Sequence, residues 1–205
     1  MTQPISALAG KHPGETAWIV GKGPSLIRIS YDVFGDGPVI TLNQAIAAIE
    51  PLCLPNPVYS MQKGHNGCDH TNVVDLCPSL VIRPDRAALV LHEFEGVDCY
   101  VDYEPRYIYS SERDYGLGRW AFSAMVGAAF AVHMGCADLV FISTDAMVNG
   151  DMRTFHGRPR GESFVEDEPR FHAHYKQHRS LLEQYLNSCG ISYRFGFPAE
   201  VTRAS

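Results

Sequence analysis

Short apolar runs recur along the chain, at Trp18 to Val20, Val39 to Leu42, Val58 to Met61, Leu80 to Ile82, Ala88 to Leu91, Leu139 to Ser143 and Ile191 to Phe195. Several are apolar at successive positions and show no alternating polar face. A strand of that kind has no side for water, so it belongs in a parallel sheet covered on both faces. Two helical segments lie between the runs. Trp120 to Met134 is rich in Ala and Gly and apolar nearly all round, which predicts a buried helix. Pro169 to Cys189 is polar on one side, carries Tyr175, Leu182, Tyr185 and Leu186 on the other, and stops at Gly190. Strand, turn, helix, strand is the order of an α/β fold, and the expected form is a doubly wound, mostly parallel sheet with helices on both faces. A chain of 205 residues, 45% of them hydrophobic, can bury the core of one such domain over residues 1 to 205.

Other classes are disfavoured. The first sixteen residues lack the apolar centre of a signal peptide, and no window approaches the eighteen or so apolar residues of a membrane span. A cytoplasmic protein without a membrane partner is expected. The six cysteines form no CxxC pair, so reduced, mostly buried thiols are expected and no disulfide is assigned. A formal net charge of −6 with no Lys/Arg block gives no strong nucleic-acid signature. Long polar segments interrupt the pattern at 64 to 78 and 147 to 168. Loops of that length are usually functional or mobile, and 147 to 168 reads as a lid.

The turn after the first apolar run is "GKGPS", Gly21 to Ser25. In an open parallel sheet ligands sit beyond the carboxyl ends of the strands, where glycine lets backbone approach and a helix N-terminus offers N–H groups. Gly21 and Gly23 lack side chains, Pro24 suits a first helical turn, and Ser25 carries a hydroxyl. A phosphate or diphosphate fits such a turn, and so does a plain strand-to-helix connection. If glycine serves the ligand, Gly23→Val should abolish nucleotide binding and largely spare the fold.

"WIVGKGPSLIRISYDVFGDGPVITLNQAI" resembles the opening of the bacterial family-42 sialyltransferases, with an apolar strand, GxGPSL, a spacer, and a second strand ending at Asn43 and Gln44. The same opening marks the related motility-associated flagellin-modification family and the archaeal 6-hydroxymethyl-dihydropterin diphosphokinase. "GRWAFSAMVGAAFAVHMGCADLVFISTDAMVNG" is similar to the second block of the family, with Ser123, Gly135 and Asp145 at matching places and Arg119 within one residue of a family arginine. "FHAHYKQHRSLLEQYLNSCGISYRFGFP" is similar to the third block, where His172 falls on the general base. The resemblance implies a Rossmann-like fold that binds a nucleotide-activated donor. Lys22 departs from it, standing where the sialyltransferases carry Asn.

Lys22 could lie over a diphosphate or keep a surface turn soluble. Ser25 could donate to a phosphate or cap its own helix. Asn43 could meet a base or ribose, or cap the helix that follows. Asp145 closes an apolar strand, where burial demands a hydroxyl, a backbone amide or a cation as partner. The candidate nucleotide-binding set is Gly21, Lys22, Gly23, Pro24, Ser25, Asn43, Gln44, Ser123, Ser143 and Thr144. His172, Asp145 and Arg119 are the catalytic candidates, and Arg153, His156, Arg158 and Arg160 are the lid residues that would steady a leaving phosphate. His172, His174 and His178 do not make a metal pattern, and the cluster from His65 to His70 is too tight for four tetrahedral ligands. No metal site is assigned.

The expected function is therefore nucleotide-sugar-dependent glycosyl transfer by direct displacement, with His172 as base and no required cofactor. The alternatives are a diphosphokinase acting on a pterin-like alcohol, which needs Mg2+ held by Asp145, Asp69 or Asp151, and a nucleotide-binding protein without turnover. An apolar outer surface would support a homo-oligomer.

Overall fold

The computed structural model describes residues 2–63, 87–91, 99–101, 123–149 and 168–197. Within them lie β1 (Thr2–Pro4), β2 (Thr16–Val20), β3 (Val39–Leu42), β4 (Val58–Lys63), β5 (Ala87–Leu91), β6 (Cys99–Val101), β7 (Asp138–Ile142) and β8 (Ser192–Gly196). They form one sheet in the order β1-β6-β5-β4-β3-β2-β7-β8. The five strands from β4 to β8 in that order are parallel neighbours. β5 runs against both β4 and β6, and β1 runs parallel to β6. The fold is α/β. Strands are added outward from β2 to β3 and β4, then on the other side as β7 and β8, so the order reverses between β2 and β7.

The doubly apolar runs give the sheet two cores. Ala17, Ile19, Ile40, Leu42, Tyr59, Met61, Leu139 and Phe141 pack on one face with the Ser123–His133 helix and with Tyr175, Leu182 and Leu186 of the Glu168–Ser188 helix. Trp18, Val20, Val39, Val58, Val140 and Ile142 pack on the other with Leu26, Val33, Ile46 and Ile49. Full burial of a side chain of this size stabilises by about 1.5–3 kcal/mol, so alternate residues of one strand hold down different layers. The long helix ends where expected, two residues before Gly190, whose φ of +68° takes the chain into the left-handed region.

Several expectations change. Pro24 does open a helical turn, but it is a 3-10 turn of five residues, Pro24–Arg28, and no α-helix follows the glycine turn directly. The macrodipole of a long helix is absent at this point. β1 and β6 carry no legible apolar run, whereas Leu80 to Ile82 lies outside the described residues. His178, grouped by sequence with His172 and His174, is buried, one turn from Tyr175 and Leu182 on the core side. Of the three described thiols only Cys136 is buried; Cys53 and Cys189 are exposed. Among the described residues no helix is long and apolar enough to cross a membrane.

A polar cluster forms where the segment before β2 meets β4. His12 is buried, with Nδ1 3.1 Å from Glu15 Oε2 and Nε2 2.9 Å from the hydroxyl of fully buried Tyr59 on β4. The His12 amide donates to the carbonyl of Met134 (2.7 Å) and that of Gly14 to Gly135 (2.9 Å). The segment before β2 is thus tied to the end of the Ser123–His133 helix. Burial, with the nearby Glu15 carboxylate, pushes the Cys136 thiol up from 9.0 to about 12.

Candidate functional site

Val20 of β2 stands level with Thr41 of β3 and Ile142 of β7. Beyond that line the Gly21 amide donates to the carbonyl of Ile142 and the Gly23 amide to that of Ser143, each at 2.8 Å. The glycine turn is therefore laid across the end of β7. A Cβ on Gly21 would stand 2.3 Å from the Ser143 carbonyl oxygen, and one on Gly23 would stand 1.9 Å from Asp145 Oδ2. At such distances any added side chain forces its neighbour to shift. Both glycines are demanded by the protein's own packing, so the expectation that Gly23→Val spares the fold is overturned.

Asp145 is 3% exposed. Its Oδ2 accepts from the Ser25 hydroxyl at 2.7 Å and its Oδ1 from the Ser25 amide at 3.3 Å. The hydroxyl and amide partners expected for a buried carboxylate are both supplied by one residue. Ser25 does not cap its own turn, whose first residue is preceded by Gly23 with no side-chain cap. Among the described residues Asp145 forms no ion pair with a cationic side chain. The carboxylate sits on the donors that a phosphate would use. Two unit charges 4 Å apart at an effective dielectric of 20 repel by about 4 kcal/mol, so a phosphate seated on Ser25 requires that this charge be moved or neutralised.

Neighbouring loops complete the edge. Lys22 Nζ donates to Gln44 Oε1 at 2.7 Å, which links the glycine turn to the end of β3. Asn43 Nδ2 donates to Ser123 Oγ at 3.1 Å, which links β3 to the first residue of the Ser123–His133 helix. Asn43 and Ser143, the first residues after β3 and β7, have φ of 53° and 54°. Asn tolerates this left-handed geometry better than Ser, and strain of this kind, of order 1–3 kcal/mol, gathers at functional edges. The hydroxyls of Ser143 and Thr144 are buried and have no hydrogen-bond partner among the described residues. Buried polar groups are nearly always paired, so two successive orphans in one loop call for an explanation.

The structure thus brings together Gly21, Lys22, Gly23, Pro24, Ser25, Asn43, Gln44, Ser123, Ser143, Thr144 and Asp145 around the ends of β2, β3 and β7. Arg119, Arg153, His156, Arg158 and Arg160 lie outside the described residues, as do Asp69, Asp151 and the cluster from His65 to His70. The backbone of His172 lies in the first turns of the Glu168–Ser188 helix; its side chain and that of His174 are outside the description. Of the segment 147 to 168 expected as a lid, residues 150–167 lie outside the described residues, and both ends belong to helices. Met147 is buried in the Asp145–Val148 helix, and Glu168 begins the long helix. Arg179 was not among the candidates. It donates to the Met147 carbonyl at 3.0 Å and lies 4.4 Å over the Phe195 ring, tying the long helix to the loop after β7. Among the described residues no three His, Cys, Asp or Glu side chains gather as a metal cluster. Comparison with protein-family models, with curated proteins and with solved structures finds no match to this chain.

Proposed function

We propose that the chain is a nucleotide-dependent transferase on a Rossmann-like, doubly wound sheet, and that it takes a nucleotide-activated donor, a nucleotide sugar, at the ends of β2, β3 and β7. The observation that carries this reading is the pair of buried hydroxyls of Ser143 and Thr144 that have no partner among the described residues, beside the reversal of strand order where open α/β sheets bind ligands. Asn43 and Gln44 border the same edge and suit a base or ribose. His172 would take the proton from an acceptor hydroxyl, a role implied by the family resemblance and suited to an imidazole. A second reading, diphosphoryl transfer to an alcohol, is favoured by one feature. The Ser25 hydroxyl and Asp145 carboxylate meet at the ends of adjacent parallel strands, as do the glycine-loop hydroxyl and strand-end carboxylate that serve Mg2+ in phosphoryl transfer.

A thermal-shift panel of CMP, CDP, UDP, GDP, ATP and their sugar derivatives, run with Mg2+, tests the proposal. A ligand at one hundred times its dissociation constant stabilises by about 2.7 kcal/mol, or roughly 5–11 °C for a chain of this size. A shift that favours one sugar nucleotide, with slow release of its sugar, supports glycosyl transfer. Turnover of ATP with an alcohol acceptor supports the second reading, binding without product reduces the protein to a sensor, and no shift with any nucleotide sinks the proposal.

A further inference from the structure

The chemistry left unspent around Asp145 indicates what the site requires besides a nucleotide. Asp145 is 3% exposed, and among the described residues it has no cationic partner and receives hydrogen bonds only from Ser25. An ionised carboxylate offers about four lone-pair sites, so acceptor capacity remains. The Ser25 hydroxyl spends its proton on Oδ2 and keeps lone pairs of its own. Ser143 and Thr144 add two hydroxyls with no partner among the described residues. Thr144 packs its methyl group where a Gly21 side chain would be, 2.9 Å from that Cβ position, and so stays within the same loop contact. A buried carboxylate with acceptor capacity to spare, no cationic partner among the described residues and a hydroxyl oxygen beside it suits a hard divalent cation, which prefers oxygen ligands.

We propose that Asp145 and Ser25 hold a Mg2+ ion that joins the phosphate of the bound nucleotide to the end of β7. The inference rests on the nucleotide reading above and differs from the cofactor-free expectation drawn from the sequence. One carboxylate and hydroxyls make a poor site for a bare ion. Mg2+ is ordinarily held by just one or two carboxylates together with substrate phosphates, so cation and nucleotide enter as a pair. The ion removes the repulsion between Asp145 and an incoming phosphate, and it replaces the Ser25 proton as the partner of the carboxylate. Gly21 and Gly23 fix the distance between the two loops, which holds carboxylate and hydroxyl in place before the ion arrives.

The test is a Mn2+ titration followed by the loss of the free-ion electron paramagnetic resonance signal, with CDP, UDP or ADP present and absent, beside nucleotide titrations in Mg2+ and in EDTA. The wild type should bind Mn2+ at least tenfold more tightly with a nucleoside diphosphate present, and the nucleotide at least tenfold more weakly in EDTA. Asp145→Asn, which keeps the shape of the side chain, and Ser25→Ala should each erase most of that coupling; circular dichroism and the thermal midpoint check that both fold. Nucleotide affinity equal within twofold in Mg2+ and EDTA overturns the cation site and leaves the nucleotide reading standing. Coupling that survives in both folded variants also overturns it, by placing the ion elsewhere. No nucleotide binding in either medium sinks both readings together.

Discussion

Gly23→Ala isolates the contact on which the candidate site is built. Gly23 has φ −65° and ψ 165°, a region open to any residue, so alanine adds no backbone strain and should gain about 0.4–1 kcal/mol by restricting the unfolded chain. Against this, the new Cβ would lie 1.9 Å from Oδ2, 2.6 Å from Cγ and 2.8 Å from Cβ of Asp145. The carboxylate must move. Its bond from the Ser25 hydroxyl, a hydrogen bond to a charged group, is worth about 1.5–3 kcal/mol, and the long amide contact adds less. Overpacking costs about 1–3 kcal/mol more. The net expectation is a loss of about 2–5 kcal/mol, a large share of the 5–15 kcal/mol that holds a domain together. Urea unfolding at neutral pH measures it, with an unchanged m-value as the check on two-state behaviour. In an Asp145→Ala background only the 2.8 Å approach to Cβ remains, so the cost of Gly23→Ala should fall by about 1–3 kcal/mol. A Gly23→Ala protein within about 0.5 kcal/mol of wild type, or one with the same cost in both backgrounds, would refute the reasoning.

Tyr59→Phe should destabilise by about 1–3 kcal/mol, because it strips the buried His12 Nε2 of its phenol partner; a thermal midpoint equal to wild type would contradict this. Cys136→Val should change the alkaline limb. The Cys136 thiol ionises near 12 in the folded protein against 9.0 unfolded, so its contribution is intact below pH 9 and falls by about 1.4 kcal/mol per pH unit up to 12. Urea midpoints collected from pH 8 to 11 should decline less steeply in the variant, and parallel declines would dismiss the buried thiol as a cause. Asn43→Ala and Ser123→Ala should each cost about 0.5–1.5 kcal/mol, and the double variant should cost less than their sum because both remove one bond. Strict additivity would mean that the bond does not couple β3 to the helix.

Much of the sheet was legible because its strands are apolar on both faces. Trp18 beside Ile19, or Val140 beside Phe141, leaves no polar side to place against water, and the two-core arrangement follows. The stripe of Tyr175, Leu182 and Leu186 was equally readable from helical spacing. β1 and β6 were not, since Thr2–Pro4 and Cys99–Val101 are three residues long and gain their strand form from pairing with each other and with β5. At the site, the sequence could list Gly21, Ser25 and Asp145 as candidates but could not say that they touch. Ser25 and Asp145 are 120 positions apart, and the pairing of β2 with β7 alone brings them together. The glycines, read as room for a ligand, also leave room for the loop after β7: Gly23 for Asp145, Gly21 for the Ser143 carbonyl and the Thr144 methyl group. His178 carries no local sign of burial beyond its spacing from Tyr175 and Leu182, and its neighbours His172 and His174 obscured that signal.

The place of β2 in the sheet also governs how the chain can be made. Its partner on one side, β3, follows within the next few tens of residues, but its partner on the other side begins at Asp138, paired with Thr16 from 122 positions upstream. A nascent chain that has completed β4 holds β2, β3 and β4 with the far edge of β2 bare, and that edge carries Trp18, Ile19 and Val20. At 5–20 residues per second the wait for β7 lasts roughly 4–16 s. Throughout it, an apolar strand edge is open to any other strand that passes. Closing so long a loop also slows refolding, because the entropy is lost before the pairing repays it. The strand that anchors both cores of the finished molecule is therefore its most vulnerable element during synthesis, and a chain cut before Asp138 should aggregate through it.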